Sequence, residues 1–87
     1  MKIEVRKPTQ QEIEQFKQYP IWESPVTNFP WEYDTIETCL FIKGHVIVET
    51  PDGQSVEIKA GDLAQFPTGL KCIWKVLEPV RKHYKFE

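Results

Sequence analysis

The chain has 87 residues, which is enough for one domain and too few for two. Its 11 basic and 13 acidic side chains, with a net charge of −2, give no cationic footprint for duplex nucleic acid, and its 40% hydrophobic content excludes a disordered tail. No apolar run approaches the roughly 20 residues that cross a bilayer, and the charged, alternating N-terminus is unlike a signal peptide. We therefore expect a single cytoplasmic domain over residues 1–87, with no nucleic-acid and no membrane partner.

The first 20 residues predict one strand and one helix. Residues 2–6 alternate apolar and charged side chains, as a half-buried strand does. Thr9 and Glu12 have the spacing of a capping box, which predicts a short helix that ends before Pro20. Ile13 and Phe16 give this helix one apolar edge, and no other helix is predicted.

From residue 21 onward the sequence predicts short β-strands separated by turns. Strands are expected at residues 37–43, 45–49, 55–59, 63–66, 70–77 and 80–86. Turns are expected at 51–53, 60–62 and 67–69, and Gly44 is also placed at a chain reversal, where a positive φ favours glycine. This pattern predicts a small all-β barrel or sandwich over residues 21–87, and closure into a barrel would remove exposed strand edges.

Two spacings in this region resemble the sequence motifs of the cupin superfamily. Gly61, five residues, Pro67, one residue, Gly69, two residues and Cys72 are similar to the second cupin motif. Glu37, followed by six residues and Gly44, is similar to the end of the first motif.

Further segments resemble the small single-domain cupins that are grouped with ureidoglycine aminohydrolase-like cupin domains. The resemblance covers about Trp31 to Phe86, and its segments are Glu37-Thr38-Cys39, Gly61-Asp62-Leu63, Phe66-Pro67-Thr68-Gly69, Trp74 to Glu78 and Val80 to Tyr84. It implies an all-β fold, namely a small cupin barrel (a double-stranded β-helix or jelly roll) with one short N-terminal helix.

The resemblance also implies a metal site that the sequence does not retain. Metal-dependent cupins use two histidines and a glutamate from the first motif and a histidine from the second, a ligand set that suits Mn, Fe, Ni or Zn. With a three-residue gap before Glu37 the two histidine positions hold Trp31 and Tyr33, with a four-residue gap they hold Pro30 and Glu32, and the fourth ligand position holds Cys72. We therefore expect no metal and no cofactor. A zinc site formed by Glu37, Cys39 and Cys72 is the alternative.

The alternation of side chains along a strand predicts what replaces this site. Cys39 and Phe41 are expected on the inward face with Glu37, and Trp74 shares a face with Cys72. The expected ligand-binding residues at the barrel mouth are Trp31, Tyr33, Glu37, Cys39, Cys72 and Trp74, with Tyr33 as the nearest hydrogen-bond donor to Glu37. The two cysteines have no CxxC spacing, so free buried thiols are expected.

Lys82 is the remaining candidate ligand-binding residue. It shares a strand face with Val80, Tyr84 and Phe86, so it either pairs with an inward acid such as Glu37 or protects a sheet edge from aggregation. The opposite face, which carries Arg81, His83 and Lys85, is expected to be solvated.

Three functions are compatible with these residues. The first is a metal-free cupin that binds a small molecule in the barrel. The second, implied by the resemblance, is a metal-assisted enzyme acting on a small nitrogenous metabolite. The third is a thiol enzyme with Cys72 as nucleophile and Glu37 as base, although no histidine is placed to activate the thiol. A barrel interior filled entirely by side chains is the structural alternative to all three.

Partners are predicted only in outline. A small-molecule ligand is expected, and the sequence does not name it. Similar cupins associate through sheet edges, so the resemblance implies a homodimer, for which the region of Trp22 and Phe29 is the candidate surface.

Overall fold

The computed structural model describes residues 1–87 as seven strands and one helix. In chain order these are β1 (Glu4–Arg6), α1 (Gln10–Phe16), β2 (Ile21–Ser24), β3 (Thr27–Glu32), β4 (Glu37–Glu49), β5 (Ser55–Lys59), β6 (Leu63–Phe66) and β7 (Lys71–Phe86). The predicted all-β architecture with one short N-terminal helix is confirmed. No helix is long and apolar enough to span a membrane.

Strands β4 and β7 form the centre of the sheet. They run antiparallel along their whole length, from Glu37 opposite Phe86 to Glu49 opposite Ile73. The first half of β4 also pairs with β6 and its second half with β5. In β7 the first half pairs with β3 and the second half with β2, while β1 extends the sheet beyond β6. The sheet therefore has two halves that share the two long strands.

Gly44 allows β4 to continue through the join between these halves. Its φ is +104°, and a Cβ atom at this position would lie 2.4 Å from the carbonyl oxygen of Pro79 and 2.7 Å from the Cα of Val80. The register of β4 against β7 is irregular between Phe41 and Val46. The prediction that Gly44 lies at a reversal is wrong, because this glycine lies in a bulged segment where the backbones of β4 and β7 approach closely. The strands predicted at 37–43 and 45–49 are therefore one strand, β4, and those predicted at 70–77 and 80–86 are one strand, β7.

The main core lies between the two halves of the sheet. Trp74, from the first half of β7, packs on Phe41 and Phe66 from the opposite half, with ring centroids 6.1 and 5.7 Å apart. A second, smaller cluster lies on the other face, where Phe16 of α1 covers Leu40 and Leu63. The strand residues of β4 are consequently buried on both faces near its start.

Helix α1 begins as the sequence predicts. The Thr9 side chain accepts a hydrogen bond from the Glu12 amide at 3.1 Å, and the Glu12 carboxylate accepts one from the Thr9 amide at 2.9 Å. The chain that follows the helix covers part of β7, where Nδ1 of His83 lies 2.9 Å from the carbonyl oxygen of Tyr19. His83 is buried, so the prediction that it belongs to a solvated face is wrong.

Candidate ligand-binding site

A cavity of about 240 Å³ opens beside the main core. Its walls come from β2, β3, β4 and β7, and they are formed by Trp22, Phe29, Trp31, Glu37, Trp74, Lys82, Tyr84 and Phe86. Mostly aromatic walls with a few convergent polar groups are typical of small-molecule sites. The volume equals that of about eight water molecules at about 30 Å³ each, so the cavity suits a small metabolite.

The polar groups of the cavity belong to a buried ion pair. Nζ of Lys82 lies 2.8 Å from Oε2 of Glu37, and the two side chains are 6% and 5% exposed. The thiol of Cys39 donates to the same carboxylate oxygen at 2.8 Å, and Nζ of Lys82 also lies 3.3 Å from the Cys39 sulfur. Lys82 is thus the inward partner of Glu37, which decides between the two roles that the sequence left open.

Three aromatic rings surround the ammonium group of Lys82. Nζ lies 4.5 Å from the ring centroid of Trp74, 4.9 Å from that of Trp22 and 5.9 Å from that of Phe41. Aromatic faces carry partial negative charge and attract a cation at these distances. The rings therefore stabilise a charge that would otherwise be costly to remove from water.

Tyr33 lies behind the cavity wall. Its hydroxyl accepts a hydrogen bond from Nε1 of Trp74 at 3.1 Å, and its ring stacks on Phe66 with centroids 4.8 Å apart. Burial raises the pKa of this phenol, so it stays protonated. The expected hydrogen bond from Tyr33 to Glu37 is wrong, because Lys82 and Cys39 are the donors to that carboxylate. Tyr33 instead fixes the orientation of the Trp74 indole.

The two cysteines are free thiols, as the sequence predicts. Burial raises the pKa of Cys72 to about 11 and also raises the pKa of Cys39. Both thiols are protonated at neutral pH, whereas nucleophilic catalysis needs a thiolate. Cys72 is also buried, and its thiol donates to the carbonyl oxygen of Trp31 at 3.7 Å instead of to a base, so the structure does not support it as a nucleophile.

The residues at the four metal-ligand positions do not fit a metal ion. No group of three or more histidine, cysteine, aspartate or glutamate side chains converges anywhere in the structure. Glu37, the one retained carboxylate, already binds the Lys82 ammonium through Oε2. A second cation at this oxygen would meet a like charge at close range, which is unfavourable.

The structure brings together four of the seven predicted ligand-binding residues at the cavity surface: Trp31, Glu37, Trp74 and Lys82. The other three, Tyr33, Cys39 and Cys72, are buried behind it.

Four lining residues were not predicted from the sequence, namely Trp22, Phe29, Tyr84 and Phe86. Tyr84 and Phe86 share the alternating face of Lys82 and were identifiable from that pattern. Trp22 lies opposite Lys82 and Phe29 opposite Trp74 in the sheet register, and this pairing carries no local signal. Trp22 and Phe29 line the cavity, and both residues are half-buried.

The chain is similar to known proteins along most of its length. Residues 11–84 match a family model described as an EutQ-like cupin domain. No curated protein matches the chain.

Solved structures with the same fold include proteins of very different length. A DUF861 family protein from Thermotoga maritima shares 48% identity, with a TM-score of 0.95, and the match covers 99% of this chain and 100% of that one. The EutQ protein of Clostridium difficile shares 28% identity with a TM-score of 0.67, over 74% of this chain and 50% of its own. A DUF861 family protein of unknown function from Pseudomonas syringae pv. tomato shares 26% identity with a TM-score of 0.67, over 74% of this chain and 28% of its own.

Proposed function

The chain belongs to the family of EutQ-like cupin domains, and on this premise we propose that it binds a small molecule in its barrel without a metal ion. The observation that carries the proposal is the buried pair of Lys82 and Glu37 at the surface of an aromatic cavity. The pair offers hydrogen-bonding groups on side chains that are only 6% and 5% exposed.

A purely structural role explains this pair less well. A buried ion pair is often no more stabilising than a pair of apolar side chains of similar volume, because both charges must be desolvated. The core around it is already rich in apolar side chains, among them Phe41, Trp74 and Val80. Polar groups that face a cavity have a use in recognition that a fully enclosed pair would lack.

The alternative is an enzyme acting on a small nitrogenous metabolite, related to the ureidoglycine aminohydrolases. Such a reaction needs a group that activates water or the substrate. The cavity contains one carboxylate, Glu37, which is held by Lys82 and Cys39. The ligand positions at which those enzymes hold a metal carry Trp31, Tyr33 and Cys72 besides Glu37. We therefore favour binding over hydrolysis.

We also propose that the protein is located in the cytoplasm. Cys39 and Cys72 are both free and buried, and thiols of this kind persist in a reducing compartment.

The three tryptophans of the chain provide the test, because Trp22, Trp31 and Trp74 all line the cavity. Their indole N–H resonances in a ¹H–¹⁵N NMR spectrum are reporters of occupancy. We would titrate a library of neutral, anionic and cationic metabolites of up to about twelve non-hydrogen atoms, the size that the cavity volume allows. We expect at least one compound to shift the indole resonances saturably.

The matched control is the double variant Glu37→Gln with Lys82→Met, which removes the charged pair and retains the aromatic walls. We expect the compounds that bind the unmodified protein to bind this double variant more weakly. A library that leaves all three indole resonances unmoved would contradict the proposal. Stoichiometric binding of Mn, Fe, Ni or Zn, together with turnover of a library compound, would favour the enzymatic alternative.

A further inference from the structure

We propose that the ligand of this cavity is a neutral, planar molecule with an amide edge, in which an N–H donor lies beside a carbonyl acceptor. This inference rests on the proposed function and specifies the class of ligand. Three properties of the site carry it: its charge balance, its free hydrogen-bonding groups and the shape of its walls.

The cavity surface has no net charge. Lys82 and Glu37 are its only charged lining residues, and they neutralise each other at 2.8 Å. An anion or a cation entering this space would lose its hydration without gaining a free counter-ion. A neutral ligand avoids that cost.

The pair retains one donor and one acceptor for a ligand. An ammonium group has three N–H donors, and Lys82 directs two of them to Glu37 and Cys39. Oε2 of Glu37 accepts from Lys82 and Cys39, whereas Oε1 has no hydrogen-bond partner in the protein. Every fully buried polar side-chain atom in the structure has a hydrogen-bond partner. Oε1 has none, so this oxygen is at least partly accessible.

The remaining donor and the free acceptor belong to side chains that are in direct contact, so one small ligand can reach both. A complementary ligand presents an acceptor to Lys82 and a donor to Glu37 from neighbouring atoms. A cis-amide edge, as in a lactam, has this arrangement.

The walls favour a flat molecule. Phe29 stacks on Trp74 with an interplanar angle of 17°, and Trp22 is inclined to Trp74 by 74° at a centroid distance of 5.8 Å. Aromatic rings pack on planar groups through stacked and edge-to-face contacts. The cavity of about 240 Å³ accommodates a single heterocyclic ring with small substituents.

Four probes of similar size test the proposal: 2-pyridone, N-methyl-2-pyridone, benzoate and benzylammonium. We would measure their dissociation constants from the indole N–H resonances of the unmodified protein. We expect 2-pyridone to bind about tenfold or more tightly than N-methyl-2-pyridone, which lacks the N–H group and leaves the Glu37 carboxylate without its partner. We expect a similar preference for 2-pyridone over both ions.

Equal binding of the two pyridones, tighter binding of either ion, or no binding of 2-pyridone would overturn the inference. The function proposed above would still stand if another library compound shifted the indole resonances, so the two failures are distinguishable.

A substitution that reverses the preference between neutral and anionic ligands provides a second test. In Glu37→Gln the Lys82 ammonium loses its counter-ion, so we expect benzoate to bind more tightly than 2-pyridone, by about tenfold. The control is Glu49→Gln, since Glu49 is on the same strand and pairs with Lys75 outside the cavity. This control should keep the preference of the unmodified protein for 2-pyridone. An unchanged preference in folded Glu37→Gln would contradict the role assigned to the carboxylate.

Discussion

Two glutamate–lysine pairs link β4 to β7, and they differ mainly in burial. Glu37 and Lys82 are 2.8 Å apart with side chains about 5% exposed, whereas Glu49 and Lys75 are 2.6 Å apart with side chains about 40% exposed. Solvent screens the exposed pair and leaves the buried pair unscreened. The same residue types on the same strands therefore allow a matched comparison.

We predict that the single substitutions Glu37→Gln and Lys82→Met each lower the free energy of unfolding by about 3–5 kcal/mol, because each leaves a buried charge without its partner. The double variant should recover much of that loss. The corresponding substitution Lys75→Met should cost less than about 1 kcal/mol. Urea denaturation monitored by circular dichroism measures all four. Additive losses at Glu37 and Lys82 would show that the two residues are not coupled and would contradict the buried pair.

The reactivity of Cys72 tests whether the buried thiol behind the cavity is protonated. Because burial raises its pKa to about 11, the folded protein should react with iodoacetamide at pH 7.5 more than about 100-fold more slowly than an ordinary thiol with a pKa of about 8.5. The rate should rise about tenfold per pH unit. Mass spectrometry of the alkylated peptides separates Cys72 from Cys39, which should also react slowly.

The raised pKa of Cys72 also determines how the stability of the protein changes with pH. The folded state retains the thiol proton between about pH 8.5 and pH 11, where the unfolded chain has lost it, so the free energy of unfolding falls as the pH rises through that range. Protein unfolded in urea is the control and should be alkylated at the ordinary rate. Rapid alkylation of folded Cys72 at neutral pH would contradict its burial and revive the thiol-enzyme hypothesis.

At the scale of elements, Gly44 and Gly53 separate the effect of a positive φ from that of close approach. Their φ angles are similar, +104° and +94°, but a Cβ at Gly44 would lie 2.4 Å from the Pro79 carbonyl oxygen, whereas a Cβ at Gly53 would have no neighbour within 4 Å. Backbone strain alone costs about 1–2 kcal/mol for a residue with a Cβ.

We predict that Gly53→Ala loses about 1–2 kcal/mol from this strain and that Gly44→Ala loses about 3 kcal/mol or more, since overpacking adds to it. Chemical denaturation of both variants provides the comparison. A Gly44→Ala variant that accumulates only as unfolded protein fits the prediction, and one as stable as Gly53→Ala contradicts the close contact between β4 and β7.

The sequence predicted the elements whose signals are local. The capping box of α1, the turns at Gly61 and Gly69, and the shared face of Glu37 and Cys39 all depend on neighbouring residues, and all are present. The continuity of β4 through Gly44 depends on the distant backbone of Pro79, so no local pattern revealed it.

The residues of the candidate site also differ in whether a local pattern identified them. Alternation along β7 grouped Lys82 with Val80, Tyr84 and Phe86, but it did not decide between an inward partner and a sheet edge. In the register Lys82 lies opposite Phe41, and its long side chain reaches Glu37 four residues earlier on β4. Trp22 and Phe29 enter the cavity only because β2 and β3 pair with β7. His83 is buried because the chain after α1 folds over β7. Each of these contacts joins residues far apart in the sequence, which periodicity cannot relate.

At the scale of the whole molecule, the fold leaves apolar side chains on its outer surface. Cys72, Trp74 and Val76 of β7 point into the core, so Ile73 and Leu77 point outward, and they are 47% and 46% exposed. Lys75 lies between them on this outward face and pairs with Glu49, so the face presents two apolar side chains and one ion pair. We propose this strand face, in place of the region of Trp22 and Phe29, as the surface of the expected homodimer.

We predict that the chain forms a homodimer through this face and that replacing both Ile73 and Leu77 by lysine yields a monomer, because a dimer would then bury unpaired charges. Sedimentation velocity over a range of protein concentrations measures the change. The control is Ile42→Lys, since Ile42 on β4 is 45% exposed and does not belong to the outward face of β7. It should leave the dimer intact, and thermal denaturation should show that the variants remain folded. If the unmodified chain sediments as a monomer up to about 0.5 mM, association with a dissociation constant in the micromolar range is excluded, and the outward apolar face then has no role in pairing two copies of the chain.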